Sequence, residues 1–357
     1  MPKSWRQVDN SVQRIWCLTD LDLQPGQENS RGFIVVTMTH NESKFLRWTS
    51  SGRREDGGLW AGELVIDDYT QTFESLLGSE ATLATSLTAI GILQVTPSGV
   101  YVTDKVFRQF SPHSRIIHAS VVDSDIALII YNETGYWSLL HMQLEQVDGV
   151  FRFSIRESVV LPREPSAVKL SINKNNHLSR LLNNDAPYES KICLLAFRFP
   201  RKVVMYQLHN EIDPTILGEC ALDPELSQDV PDDPRASEVN SIDLLCDSVT
   251  TIIYLGLRHG MVMSIDITNG FETLSLQNTK FGHSPVEFIS TTHTKNESEN
   301  TSLFVMCEYL WEIRLKNGEL ELHEVLFDDF RIVLPPRCRS NYSRGYYRGV
   351  YRSGRGS

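Results

Sequence analysis

The chain lacks the features that would place it in several functional classes. No two of its six cysteines form a CxxC pair, and none of its ten histidines pairs at HxH or HxxxH spacing. There is no GxSxG elbow, no HExxH, no GxxxxGK[ST] and no GxGxxG, so hydrolase, zinc-protease, phosphate-loop and dinucleotide signatures are all missing. No apolar run approaches the ~18–20 residues that span a bilayer. The opening MPKSWRQVDNSVQRIW is polar where a secretory segment would be apolar. The scattered cysteines read as buried free thiols in a reducing compartment, and neither a membrane association nor a cofactor is expected. Positive charge is also short. The net charge of −11 argues against the body gripping a phosphate backbone.

What the chain does have is a repeated pair of short β-branched runs joined by a polar turn. The pairs begin at Gly32, Ala89, Asp125, Lys191, Thr251 and Ser302, with turns such as Pro97-Ser98-Gly99, NETG and Arg258-His259-Gly260. Gly, Pro, Asn and Ser supply the dihedrals that tight reversals require, so each pair predicts a β-hairpin. The first strand of each pair is apolar almost throughout, which predicts cover on both faces. The second alternates, as in MVMSIDI, which predicts one face toward solvent. The mean spacing lies somewhat above the ~40–45 residues of a compact propeller blade. The excess falls in polar inserts, NKNNHLSRLLNNDAPYES and LDPELSQDVPDDPRASE among them. Helical signal is confined to a turn or two at Thr72–Leu87 and Ser179–Asn183. The fold class expected is an all-β propeller of about six recognisable blades over residues 1–330, with a flexible Arg/Tyr/Gly-rich tail at 331–357.

Asp67-Asp68 and Asp328-Asp329 are adjacent carboxylates, but neighbours on a strand point to opposite faces, so a solvated edge or turn is the simpler reading. The acidic run Asp229–Glu238 has no EF-hand spacing and two prolines, which makes it a loop. His259 reads as a turn residue. Trp48, Trp60, Trp137 and Trp311 lie in or beside strands and are expected to wedge between blades. The tail is the one nucleic-acid signal: Arg337, Arg339, Arg344, Arg348, Arg352 and Arg355 interleave with Tyr342, Tyr346, Tyr347 and Tyr351, without an acid. Guanidinium and phenol planes stack on bases while the charge neutralises phosphate. The same low-complexity end is also what a misplaced gene boundary would leave.

The segment Ile66–Asp104 resembles the middle propeller of the damage-specific DNA-binding protein large subunit and cleavage/polyadenylation specificity factor superfamily. An acidic DDxQTF stretch there leads to a strand pair, matched here by Asp67, Asp68, Thr72 and Phe73, then Leu93–Thr96 and Val100–Thr103. TTIIYLGLRHGMVMSIDI is similar to a later hairpin of that family through Leu255, Gly256, Gly260 and Met261. FGHSPVEFISTT is similar to a blade entry through Gly282, Pro285 and Val286. The order is kept over roughly residues 30–330. One departure is the replacement of the family's Ser-Asp-Arg-Pro by Cys307, Glu308, Tyr309 and Leu310. The resemblance implies a non-enzymatic nuclear scaffold, found also in the cytoplasm, whose partners are proteins: a cullin-type ubiquitin ligase in DNA repair, or subunits of an mRNA 3′-end processing or splicing complex. RNA or DNA would be reached through the tail or the complex. It implies no small-molecule substrate and no metal. It further implies an incomplete ring, since about seven blades would close one, and the isolated chain is expected to be marginally stable. A gene fragment with no role of its own is the remaining alternative.

Overall fold

The computed structural model describes residues 12–19, 29–38, 41–54, 60–68, 78–102, 106–172, 191–198, 201–209, 213–222, 238–246, 250–271, 275–289, 302–316, 319–324 and 330–333. They form a six-bladed β-propeller of antiparallel sheets. Blade 1 contains β1 (Val12–Thr19), β2 (Asn29–Met38), β3 (Ser43–Arg54) and β4 (Trp60–Asp68). Blade 2 contains β5 (Ala84–Thr88), β6 (Gly91–Thr96), β7 (Gly99–Val102) and β8 (Val106–Gln109). Blade 3 contains β9 (Arg115–Val122), β10 (Asp125–Tyr131), β11 (Trp137–Val147) and β12 (Val150–Leu161). Blade 4 contains β13 (Pro165–Ile172), β14 (Lys191–Phe197), β15 (Lys202–Leu208) and β16 (Thr215–Ala221). Blade 5 contains β17 (Val239–Cys246), β18 (Thr251–Leu257), β19 (Met261–Asp266) and β20 (Ser275–Lys280). Blade 6 contains β21 (Glu287–Ile289), β22 (Ser302–Met306), β23 (Leu310–Lys316) and β24 (Glu319–Glu324).

The first strands of successive blades are neighbours from β1 through β21, so they form the hub. The six hairpins expected from the sequence are the second and third strands of the blades. The expectation of a solvent face on the third strand is corrected. β15 and β7 are buried almost throughout, because blades 4 and 2 are each sandwiched between two others. Water is met at the rim, where β16 and β12 carry exposed residues in alternation or in runs. A second correction concerns Thr72–Leu87: Ala84–Leu87 belong to strand β5, while residues 69–77 and 173–190, where the other helical turn was expected, lie outside the described residues.

Alternation along the second strands explains the packing. In β10, Ile126, Leu128 and Ile130 join the apolar seam with blade 2, while Ala127 and Ile129 join the seam with blade 4. In β14, Cys193, Leu195 and Phe197 face blade 3, while Ile192, Leu194 and Ala196 face blade 5. Similar clusters fill the seams between blades 1 and 2 and between blades 5 and 6. Each fully buried aliphatic side chain contributes about 1.5–3 kcal/mol through removal from water, so the second and third strands together supply much of the cohesion.

The last strand, β25 (Phe330–Val333), returns to blade 1 and pairs with β4 in parallel, Phe330 opposite Gly62 and Val333 opposite Val65. The expected unfinished ring with open ends therefore needs amending: the chain builds six blades, and its final described strand covers the outer edge of the first.

Candidate functional site

Because strands alternate in direction within each blade, turns between second and third strands emerge on the same side as the links to the next blade. Backbone bonds stitch these turns to the links. Ile116 N donates to Pro97 O at 3.0 Å, Leu222 N to Arg201 O at 2.9 Å, Arg258 N to Glu238 O at 3.1 Å and Phe281 N to Gly260 O at 2.9 Å. These bonds tie described turns and links together on one side of the disc.

Among the described residues, the most exposed large aromatic on that face is Tyr136, at 59%. Its turn is locked by Asn132, whose Oδ1 accepts from Thr134 N at 3.1 Å, Thr134 Oγ1 at 2.7 Å and Tyr136 N at 2.9 Å. Gly135, at φ +82°, completes the reversal. Beside it the Tyr131 ring stands 4.7 Å from that of Trp137. A stiff turn presenting tyrosine beside tryptophan loses little freedom on binding, which is what an anchor in a protein interface requires.

Around the same face, Glu238 draws together two blades, with Arg258 Nε at 3.2 Å and Arg198 Nη1 at 3.9 Å. Between blades 5 and 6, Glu308 accepts the His283 backbone N–H at 3.0 Å and the Ser284 hydroxyl at 2.8 Å. Burial pushes its carboxyl up, but these hydrogen bonds outweigh burial and leave it below the ordinary range. A Cβ at Gly282 would run into the Glu308 carboxylate and Cys307 Sγ, so the close approach demands glycine at that position.

The aliphatic strands are second in each blade, and the hub strands mix polar and apolar residues. Their polar groups join blades. Lys169 Nζ meets Asp243 Oδ2 at 2.7 Å, Leu170 N donates to Ser120 Oγ at 2.9 Å, and Asn240 Nδ2 donates to Val286 O at 2.9 Å and to Glu287 Oε1 at 2.8 Å. His118 on β9 is lowered to about 4, by burial first and by Arg14 second, against a backbone bond with Pro165 that raises it. Among the described residues, no group of three His, Cys, Asp or Glu is placed to hold a metal ion.

Several residues singled out in the sequence can be placed. Cys193, Cys220, Cys246 and Cys307 are buried thiols outside any disulfide. Trp137 and Trp311 pack against the seams of blades 3–4 and 5–6, and the Trp311 ring meets Phe281 edge-on at 5.6 Å. His259 is buried in the turn between β18 and β19. Asp67 and Asp68 are consecutive on β4, opposite Arg47 and Leu46. Asp328, Asp329 and the tail residues Arg337, Arg339, Arg344, Arg348, Arg352 and Arg355 lie outside the described residues, as does Asp229–Ala236. One cluster was missed: Asp125, His141, Glu157 and Lys191 converge from four strands. Its signal was faint. Asp125 and Lys191 each open an apolar run, and nothing in the spacing ties them to the other two.

A family model described as the RSE1/DDB1/CPSF1 second beta-propeller matches residues 61–335. Among curated proteins, nothing matches. Solved structures resemble the chain at low identity. AofleA from Arthrobotrys oligospora is 10% identical over 89% of this chain and 88% of its own, with a TM-score of 0.46. Sqt1 of Saccharomyces cerevisiae is 13% identical over 89% and 86%, with a TM-score of 0.46. The fucose-specific lectin of Aleuria aurantia is 9% identical over 90% and 96%, with a TM-score of 0.45.

Proposed function

Since the chain belongs to the RSE1/DDB1/CPSF1 second β-propeller family, we propose that it works as a non-enzymatic protein-interaction scaffold in the nucleus, within a DNA repair-linked ubiquitin ligase. The observation that carries the scaffold reading is the division of labour in the blades. Buried seams fix the disc, described hub polar groups tie blade to blade, and the rigid turn around Tyr136 stands free to bind. Affinity purification of the tagged chain, followed by identification of bound proteins, tests it. Recovery of a cullin supports the ligase assignment. Recovery of polyadenylation or splicing subunits instead moves the chain to RNA processing, and recovery of neither class defeats both.

The RNA-processing reading is favoured by one separate observation, the Arg/Tyr composition of residues 337–357. If the tail contacts RNA, deleting it abolishes binding, and affinity of the intact chain falls steeply with salt as condensed counterions are released. Equal binding by intact and truncated chains removes the tail from the site.

A further inference from the structure

The seam between blades 3 and 4 is largely apolar, and at one end of it four ionisable side chains meet. His141 on β11 is 1% exposed, Asp125 on β10 4%, Glu157 on β12 5% and Lys191 on β14 8%, so each has been taken out of water. Nε2 of His141 is 3.0 Å from Asp125 Oδ1, and Lys191 Nζ reaches the same oxygen at 2.6 Å across the seam. On the other side of the ring, Nδ1 stands 3.5 Å from Glu157 Oε1. That separation is an ion-pair contact, and both carboxylate oxygens of Glu157 are buried without a hydrogen bond of good geometry.

The arithmetic of charge is decisive in such a place. Two carboxylates face one lysine and one imidazole, so with those carboxylates ionised the cluster balances when both ring nitrogens carry a proton. A neutral imidazole leaves Glu157 as a buried anion with no counter-charge, an arrangement that costs several kcal/mol per ion. Among the described residues, other groups on the seam do not supply one. Cys193 on β14 and Tyr206 on β15 are pushed up by burial and stay uncharged near neutrality, and His118 on β9 is lowered to about 4.

We propose that this seam is a proton-operated joint: with His141 protonated, the four side chains form a balanced bridge from blade 3 to blade 4, and loss of that proton loosens the contact. The ring's own affinity supports this. Burial pushes it down, but Asp125 and Glu157 outweigh burial and the opposing Lys191, leaving it above its ordinary 6.5. A raised folded value means the stabilisation is complete below 6.5 and is lost as pH rises through the folded value. The device lies away from the Tyr136 face and does not depend on the scaffold reading.

The test uses the whole chain. Histidine resonances followed by NMR between about pH 5 and pH 9 give the His141 titration. Amide exchange, corrected for the intrinsic effect of pH, gives the strength of the seam at Ile129, Leu139 and Leu195, with Leu244 and Ile253 in the blade 4–5 seam as internal reference. The expected result is a His141 midpoint above 6.5 and a loss of protection confined to the blade 3–4 amides at higher pH. That loss is about tenfold for each unit by which the midpoint is raised. His141→Gln should flatten the profile, and Glu157→Gln should lower the midpoint. A midpoint at or below 6.5, or equal pH profiles at the two seams, overturns the proposal. Should His141→Gln fail to fold, the wild-type titration and the two-seam comparison decide alone.

Discussion

Glycine shows at single-residue scale how much a position depends on its neighbours. Gly149 and Gly260 both hold left-handed backbones, at φ +79° and +84°. A Cβ on Gly149 would meet nothing within 4 Å, whereas one on Gly260 would run into the Gly282 carbonyl. Gly149→Ala should therefore cost only the left-handed penalty, about 1–2 kcal/mol. Gly260→Ala should cost at least about 1 kcal/mol more, since backbone has to move. Urea unfolding of the two variants against the parent measures the gap; equal losses would mean the Gly260 turn relaxes freely. Buried polar residues carry a parallel lesson. Thr82 Oγ1 lies 2.7 Å from Ser43 Oγ and accepts from Gln94 Nε2 at 3.0 Å, which joins blade 1 to blade 2. Thr82→Val keeps the shape and removes the hydroxyl, and should destabilise by about 1–3 kcal/mol, read by the same unfolding measurement.

At the scale of the element, what the sequence reveals depends on how monotonous the surroundings are. DIALIIY, KICLLAF and TIIYLGL are buried on both faces, so their composition announces strands without ambiguity, and the six hairpins were legible. Hub strands such as RIIHASVV and PSAVKLSI were not, because one strand must face a neighbouring blade, bond across a seam and border the axis within eight residues. Such mixed demands erase any period. Rim strands failed for the opposite reason: Ile155, Val160 and Ile216 are exposed, so apolar residues there do not mark burial. The site was legible in part. NETGYW announces a turn, and the structure adds that Asn132 stiffens it. The charged cluster around His141 could not be read, since its members come from four strands brought together only by the stacking of blades.

The molecule as a whole is organised by one return journey. Phe330–Val333 lies beside Gly62–Val65, so the outer edge of the first blade is covered by residues from the far end of the chain. Removing residues 330–357 should uncover β4, lower the thermal unfolding midpoint and promote self-association through the bared strand edge. Sedimentation and thermal unfolding check this. If removing residues 334–357 alone has the same effect, strand β25 is not the cause. The return also sets a timetable. Each four-stranded blade is made from residues near one another along the chain and collapses early, whereas the β4–β25 ladder must wait until most of the chain has found its place, because closing so large a loop costs entropy that few early contacts repay. A ribosome releasing this chain would thus emit nearly the entire disc, blade upon blade, before the segment that fastens its beginning has left the exit tunnel.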